Sequence, residues 1–212
     1  MSQTDGKISM PEGYLNELKR SEKRKLGILK FLQEHFPDQA KIIFEAGCGH
    51  GHWLTSYAME NMKQNCLGID LIAGRVDKAN KKKEKRNLDN LHFIKAELGE
   101  LLEVLPRKIT FEAVVFLFPD PWPKVRHHKK RMIQSSLLEK LASRMEKNGL
   151  LYFRTDDRVY FDWTVEHLNQ SKFWKIKEDA DWLHEEVTYF QNLMDGHFSV
   201  VGKAQYPKKY LG

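Results

Sequence analysis

Between Phe116 and Met132 the chain reads FLFPDPWPKVRHHKKRM, an apolar run that stops at Asp120, a carboxylate held between Pro119 and Pro121. Each proline fixes its own φ and restricts the residue before it, so Asp120 is presented on a stiff backbone. Five cations and two histidines follow within residues 124–131. A proline-stiffened turn by itself leaves Asp120, Trp122 and those cations unexplained. Rigid placement of a carboxylate suits group transfer, where in-line geometry contributes on the order of 7–11 kcal/mol of the barrier.

A second constellation, FEAGCGHGHW at residues 44–53, follows an apolar run and opens a helical segment. Glu45, Gly47, Gly49 and Gly51 form E-x-G-x-G-x-G. Glycines here let the backbone turn tightly and approach a ligand without a Cβ in the way. A dinucleotide fingerprint needs G-x-G-x-x-G, and the position it requires is His52. The spacing with a preceding carboxylate fits S-adenosylmethionine, which has an amino-acid end and a ribose but no pyrophosphate.

Asp70 ends the next apolar run, NCLGID, about 20 residues beyond the loop, where an acidic side chain accepts both ribose hydroxyls. Alone, Asp70 would serve equally as a helix cap; with the loop, the ribose reading is preferred. Glu97 follows the third run, placed for the adenine amino group or for an N-cap. Asp120, at the end of the fourth run, faces the sulfonium end of such a donor.

The elements that must position these groups alternate. Runs at residues 41–46, 65–70, 91–96, 111–118 and 150–155 read as strands, separated by helical segments. Strands alternating with helices predict an α/β fold with a doubly wound, mostly parallel seven-stranded sheet. Residues 173–178 and 198–206 supply the last two strands, without a full helix between them, hence an antiparallel ending. The helix containing Leu137, Leu138, Leu141 and Met145 is predicted to stop at Asn148-Gly149. Residues 1–40 read as an N-terminal helical extension, and 41–212 as the main domain.

The net charge of +6 is unevenly spread. Residues 75–86 hold seven cations against two anions, and residues 124–131 five cations and no anion. Basic surface at two places favours a polyanionic partner, although a lysine run is equally a solvated helix face at residues 78–86. No apolar stretch approaches the roughly 20 residues that span a bilayer. The N-terminus lacks a signal-peptide core, and two cysteines make no disulfide framework, so a cytoplasmic setting is expected. No Cys/His spacing suits a metal.

PDPWPKVRHHKKR, together with EAGCGHG, GIDL and RTDD, strongly resembles the tRNA (guanine-N7)-methyltransferase family. The resemblance spans about residues 41–200. It implies a class I, Rossmann-like methyltransferase fold that methylates N7 of a guanine in the tRNA variable loop. By matching position it implies that Glu45, Asp70, Glu97 and Asp120 contact the methyl donor, with Asp120 at the centre of catalysis. Lys124, Asp156 and Thr188 would contact tRNA or guanine. The family's late motif is usually T-x-x-E, whereas this chain reads Thr188-Tyr189-Phe190-Gln191, which puts the role of Gln191 in question.

The chemistry agrees with the charges. Guanine N7 is an unprotonated acceptor, so no base must first remove a proton. A carboxylate such as Asp120, seconded by Asp156, can orient the guanine through its N–H groups and stabilise the developing positive charge. Lys124, Arg126, Lys129, Lys130 and Arg131 are expected to hold phosphates, which position RNA without reading it. Trp122 either packs between its prolines or stacks on a base. A methyltransferase acting on another RNA or on a protein, and a non-catalytic RNA-binding module, remain as alternatives. Monomer and homodimer are both open.

Overall fold

The computed structural model describes residues 11–186 and 196–205. Seven strands form one sheet in the order β3-β2-β1-β4-β5-β7-β6. The strands are β1 (Lys41–Ala46), β2 (Asn65–Asp70), β3 (Leu91–Lys95), β4 (Thr110–Leu117), β5 (Met145–Thr155), β6 (Trp174–Ile176) and β7 (Phe198–Ala204). The helices are α1 (Glu12–His35), α2 (His52–Glu60), α3 (Ala73–Lys85), α4 (Leu98–Val104), α5 (Ser135–Ala142) and α6 (Arg158–Gln170). Strands β1 to β5 pair in parallel, and β7 runs antiparallel between β5 and β6. This is the doubly wound sheet with an antiparallel ending expected from the alternation of runs.

The central strands are apolar because both sheet faces are covered. On one face Phe44, Phe111, Phe116 and Phe153 pack with residues of α1, α4, α5 and α6, and the Phe44 and Phe111 rings stack at 4.7 Å. On the other face Trp53, Tyr57, Val76 and Ala79, from α2 and α3, cover Ile43, Val115 and Tyr152. Each fully buried Phe of this kind contributes about 2–3 kcal/mol. Helix α1 joins the first cluster through Ile28 and Leu32, one turn apart. Its middle is tied to α4, where Arg24 Nη2 meets Glu100 Oε1 at 2.7 Å and Ser21 donates to the same carboxylate. These hydrogen bonds, that from Arg24 foremost, hold the Glu100 carboxyl below the usual range.

One expectation is corrected. Helix α5 ends at Ala142, and the Asn148-Gly149 pair lies within β5 instead of stopping a helix. The pairing of β4 with β5 jumps from Phe111–Met145 to Ala113–Leu150, so the extra residues form an irregularity in the strand. Asn148 takes a φ of 66°, and a Cβ on Gly149 would lie 2.9 Å from the Met145 methyl and 3.1 Å from two carbonyls. The turn-forming pair that stops helices in other contexts here lets a strand fold over itself. Among the described residues, no helix is long and apolar enough to cross a membrane.

Candidate functional site

A cavity of about 520 Å³ opens at the carboxyl ends of four adjacent strands. Gly47 follows β1, Asp70 ends β2, Glu97 follows β3 and Asp120 follows β4, and all four line it. Open α/β sheets bind ligands at this edge, and the volume is in the roughly 300–1,000 Å³ range of small-molecule sites. A larger open groove, about 1330 Å³, lies between α5 and β6 and takes in Lys147, Lys172 and Lys175. That groove contains none of Asp70, Glu97 and Asp120, so the smaller cavity is the candidate site.

The glycine loop is built from three left-handed residues, Gly47, Gly49 and Gly51, with φ of 77°, 55° and 68°. The Gly47 and Cys48 N–H groups both donate to the Ile69 carbonyl at 2.9 Å, tying the loop to β2. Asp70 holds it from the side, accepting from Gly49 N–H at 3.1 Å and from Ile72 N–H at 2.8 Å, with Arg75 at 3.6 Å. A carboxylate offers about four acceptor positions, so two remain for hydroxyls. Gly49 and Gly51 do not line the cavity. A Cβ on Gly51 would lie 2.5 Å from the Phe93 ring and 2.8 Å from Ala79, so this glycine lets α2 close on the sheet.

Glu45 lies behind the loop instead of lining the cavity. It is 3 % exposed, accepts a hydrogen bond from Leu54, and its Oε2 has no partner among the described residues. Burial pushes its pKa up to about 8, with nearby Asp70 acting in the same direction and the Leu54 hydrogen bond opposing. Glu97 occupies the N-cap position of α4, but its side chain makes no capping hydrogen bond. The carboxylate is therefore available to the cavity.

Asp120 is exposed and is flanked by strained backbone. Phe118 and Trp122, two residues to either side, have φ of 47° and 45°, a region that costs a non-glycine residue roughly 1–3 kcal/mol. Trp122 lines the cavity, with the Lys130 ammonium 4.5 Å above its ring. The cations follow in a short 3-10 helix, Val125–Lys130, on which Arg126, Lys129 and Lys130 are exposed, as is Lys124 just before it. Arg131 departs from its expected phosphate role. It is 2 % exposed, donates from Nε to the Pro121 carbonyl, and lies over the rings of Tyr160 and Trp163.

The structure thus brings Gly47, Asp70, Glu97 and Asp120 around one cavity. Lys124, Arg126 and Asp156 are exposed outside its lining, and Thr188 and Gln191 lie outside the described residues. Sequence reasoning missed the stretch Ala180–Glu186. Trp182 stacks on buried Arg154 at 3.9 Å, and Glu185 takes both guanidinium ends at 2.9 and 3.0 Å. Trp53 donates to the His184 carbonyl and Ser56 to Glu186, fastening this stretch onto α2. Its sequence is mostly polar and aperiodic, and only Ala180, Trp182 and Leu183 hinted at burial.

The fold is the one shared by class I methyltransferases. Similar folds include a methyltransferase from Aquifex aeolicus, 15 % identical with a TM-score of 0.56 over 92 % of this chain and 99 % of that one. An rRNA methylase from Streptococcus thermophilus is 16 % identical with a TM-score of 0.53, over 84 % and 94 %. The family model described as "Putative methyltransferase" matches residues 39–199. The tRNA (guanine-N(7)-)-methyltransferase of Mesomycoplasma hyopneumoniae strain J is 32 % identical over 71 % of this chain and 74 % of its own. That of Lachnoclostridium phytofermentans is 31 % identical over 80 % and 79 %. The chain belongs to the tRNA (guanine-N7)-methyltransferase family.

Proposed function

We propose that this protein transfers a methyl group from S-adenosylmethionine to N7 of a guanine in the variable loop of tRNA. The observation that carries the reading is the cavity itself. Asp120 stands on its β4 side, Asp70 and Glu97 stand on its β2 and β3 side, and exposed cations lie beside it. When bound, the donor supplies an activated methyl on a sulfonium. Asp70 would take the ribose hydroxyls with its remaining acceptor positions, and Glu97 the adenine amino group. Gly47 allows close approach, since a Cβ there would project toward the Met132 methyl, 3.8 Å away across the cavity lining. Glu45 supports the donor indirectly, by holding the start of α2 beneath the loop through Leu54.

Asp120 would orient the guanine and stabilise positive charge as it develops on the base. No proton has to leave N7 first, so the site needs positioning and electrostatics more than a general base. Asp156, exposed after β5, would second Asp120. Lys124 and Arg126 would hold phosphates, and Thr188 is assigned to the guanine by its match to the family's late motif, in which Gln191 stands where the family usually has glutamate. The test is incubation with labelled methyl donor and bulk tRNA, followed by nucleoside analysis. Label in 7-methylguanosine is expected; label in another nucleoside or in protein overturns the reading.

A further inference from the structure

Helix α3 carries the second basic block, and five of its seven cations share one flank. At about 100° per residue, Arg75, Lys78, Lys82, Lys85 and Arg86 fall on one flank, while Asp77 and Glu84 fall on another. The stripe is about 16 Å long at 1.5 Å per residue. Lys78–Lys82 and Lys82–Arg86 are like-charge pairs one turn apart, each destabilising an isolated helix by a few tenths of a kcal/mol. Arg75, beside Asp70 at 3.6 Å, is the one stripe cation with a carboxylate partner among the described residues. The helix dipole favours Lys82 and Lys85 in the last turn, but it disfavours Arg75 in the first turn and does nothing for Lys78.

The stripe is anchored and aimed. Lys82 Nζ donates to the His50 carbonyl at 2.7 Å and lies 3.0 Å from His52 Nε2, drawing this flank against the glycine loop. Burial first, then Lys78, Lys82 and Arg75, hold the His50 pKa down, as expected where cations converge on one ring. At its start the stripe reaches the cavity, which Arg75 lines from the β2 side while Lys130 lines it from the β4 side. Strand β1 lies between β2 and β4, so the cavity sits between two cationic surfaces.

We propose that this flank of α3 is a second track for RNA phosphates, so that tRNA bridges the cavity from the 3-10 helix to α3. The proposal rests on the tRNA reading above. An anionic membrane would be attracted by the same charges, but a polyanion delivered to a cavity flanked by both blocks accounts for their placement. The experiment compares tRNA binding across a salt series for the unaltered protein and two variants. Lys78→Glu with Lys85→Glu reverses two exposed stripe charges. Lys147→Glu with Lys175→Glu makes the same charge change in the distant groove.

The stripe variant is expected to bind tRNA about tenfold more weakly near 0.1 M salt, with the log–log slope reduced by about 1.4–1.8 for two lost phosphate contacts. Its melting temperature and methyl-donor affinity should match the unaltered protein, and the distant variant should stay within about twofold in tRNA affinity. If the unaltered protein binds and methylates tRNA while the stripe variant keeps its affinity and slope, the α3 track is wrong and the function stands. Equal losses in both variants, or loss of binding to phosphatidylserine-rich vesicles with tRNA binding intact, also overturn the track. Failure of the unaltered protein to bind tRNA at any salt removes the function and the track together.

Discussion

Arg131 Nε donates to the carbonyl of Pro121 at 2.8 Å, linking the last cation of the basic block to the residue that follows Asp120. Its guanidinium lies 5.0 Å from the Tyr160 ring centre and 5.1 Å from that of Trp163, and burial lowers its pKa below the ordinary arginine range. This arginine belongs to the scaffold that aims the aspartate. Arg131→Ala is expected to cost about 1–3 kcal/mol of stability and to slow methyl transfer, leaving the salt slope of tRNA binding unchanged. Lys129→Ala with Lys130→Ala should do the reverse, reducing the slope with the melting temperature kept. Melting curves and salt titrations on both variants check this, and a reduced slope in Arg131→Ala would return it to the RNA surface.

Asp120→Asn keeps the shape of the side chain and the two flanking prolines while removing the charge. Single-turnover rates at saturating donor should fall by about 10²–10³, the scale of losing one preorganised electrostatic group. The melting temperature should be unaffected because Asp120 is exposed. A normal single-turnover rate would leave Asp120 as scaffold and place the electrostatic role on Asp156.

Glu45 gives a pH signature of definite sign. Its carboxyl is raised from an ordinary 4.5 to about 8 in the fold. Between those values the folded chain binds the extra proton, so this contribution is complete below pH 4.5 and is lost as pH rises toward 8. The loss approaches about 1.4 kcal/mol per pH unit within the window. His92, lowered to about 4 chiefly by burial, contributes with opposite sign between about 4 and 6.5. The difference between the parent and Glu45→Gln isolates the carboxyl. Glu45→Gln should gain stability relative to the parent from pH 5 to pH 8, read by denaturant melts, and a pH-independent difference would mean that Glu45 is ionised in the fold.

Gly49 and Gly51 separate backbone conformation from close packing. Both are left-handed, but a Cβ on Gly49 meets nothing within 4 Å, whereas one on Gly51 runs into Phe93 and Ala79. Gly49→Ala is expected to cost about 1–2 kcal/mol from conformation alone. Gly51→Ala should cost about 2–5 kcal/mol, since overpacking adds to the strain. Equal losses in denaturant melts would mean that α2 moves to make room.

The strands around the site were legible because each buried run ends in the group it delivers. NCLGID ends in Asp70, and the strand before PDP is stopped by its own proline. What the sequence concealed is set by tertiary contacts. Asn148-Gly149 has the chemistry of a helix stop, and only the partner strand turns it into an irregularity within β5. Arg131 follows two exposed lysines in sequence, and nothing local distinguishes it from them. Tyr160 and Trp163, about 30 residues away, decide its burial. Glu45 reads as a ligand from its place beside the glycines, yet strand alternation turns its side chain toward α2, on the same face as Ile43.

Strand β7 has a consequence for synthesis. It is formed by residues 198–204, yet it lies between β5 and β6, both of which leave the ribosome earlier. Until those residues emerge, the β5 stretch Leu150–Thr155, with Leu151, Tyr152 and Phe153 in it, has a bare edge and no antiparallel neighbour. Bare apolar edges recruit other chains. Nascent or truncated forms ending before Phe198 are therefore expected to depend on chaperones or to aggregate, with β6 unable to dock because the strand it pairs with does not yet exist.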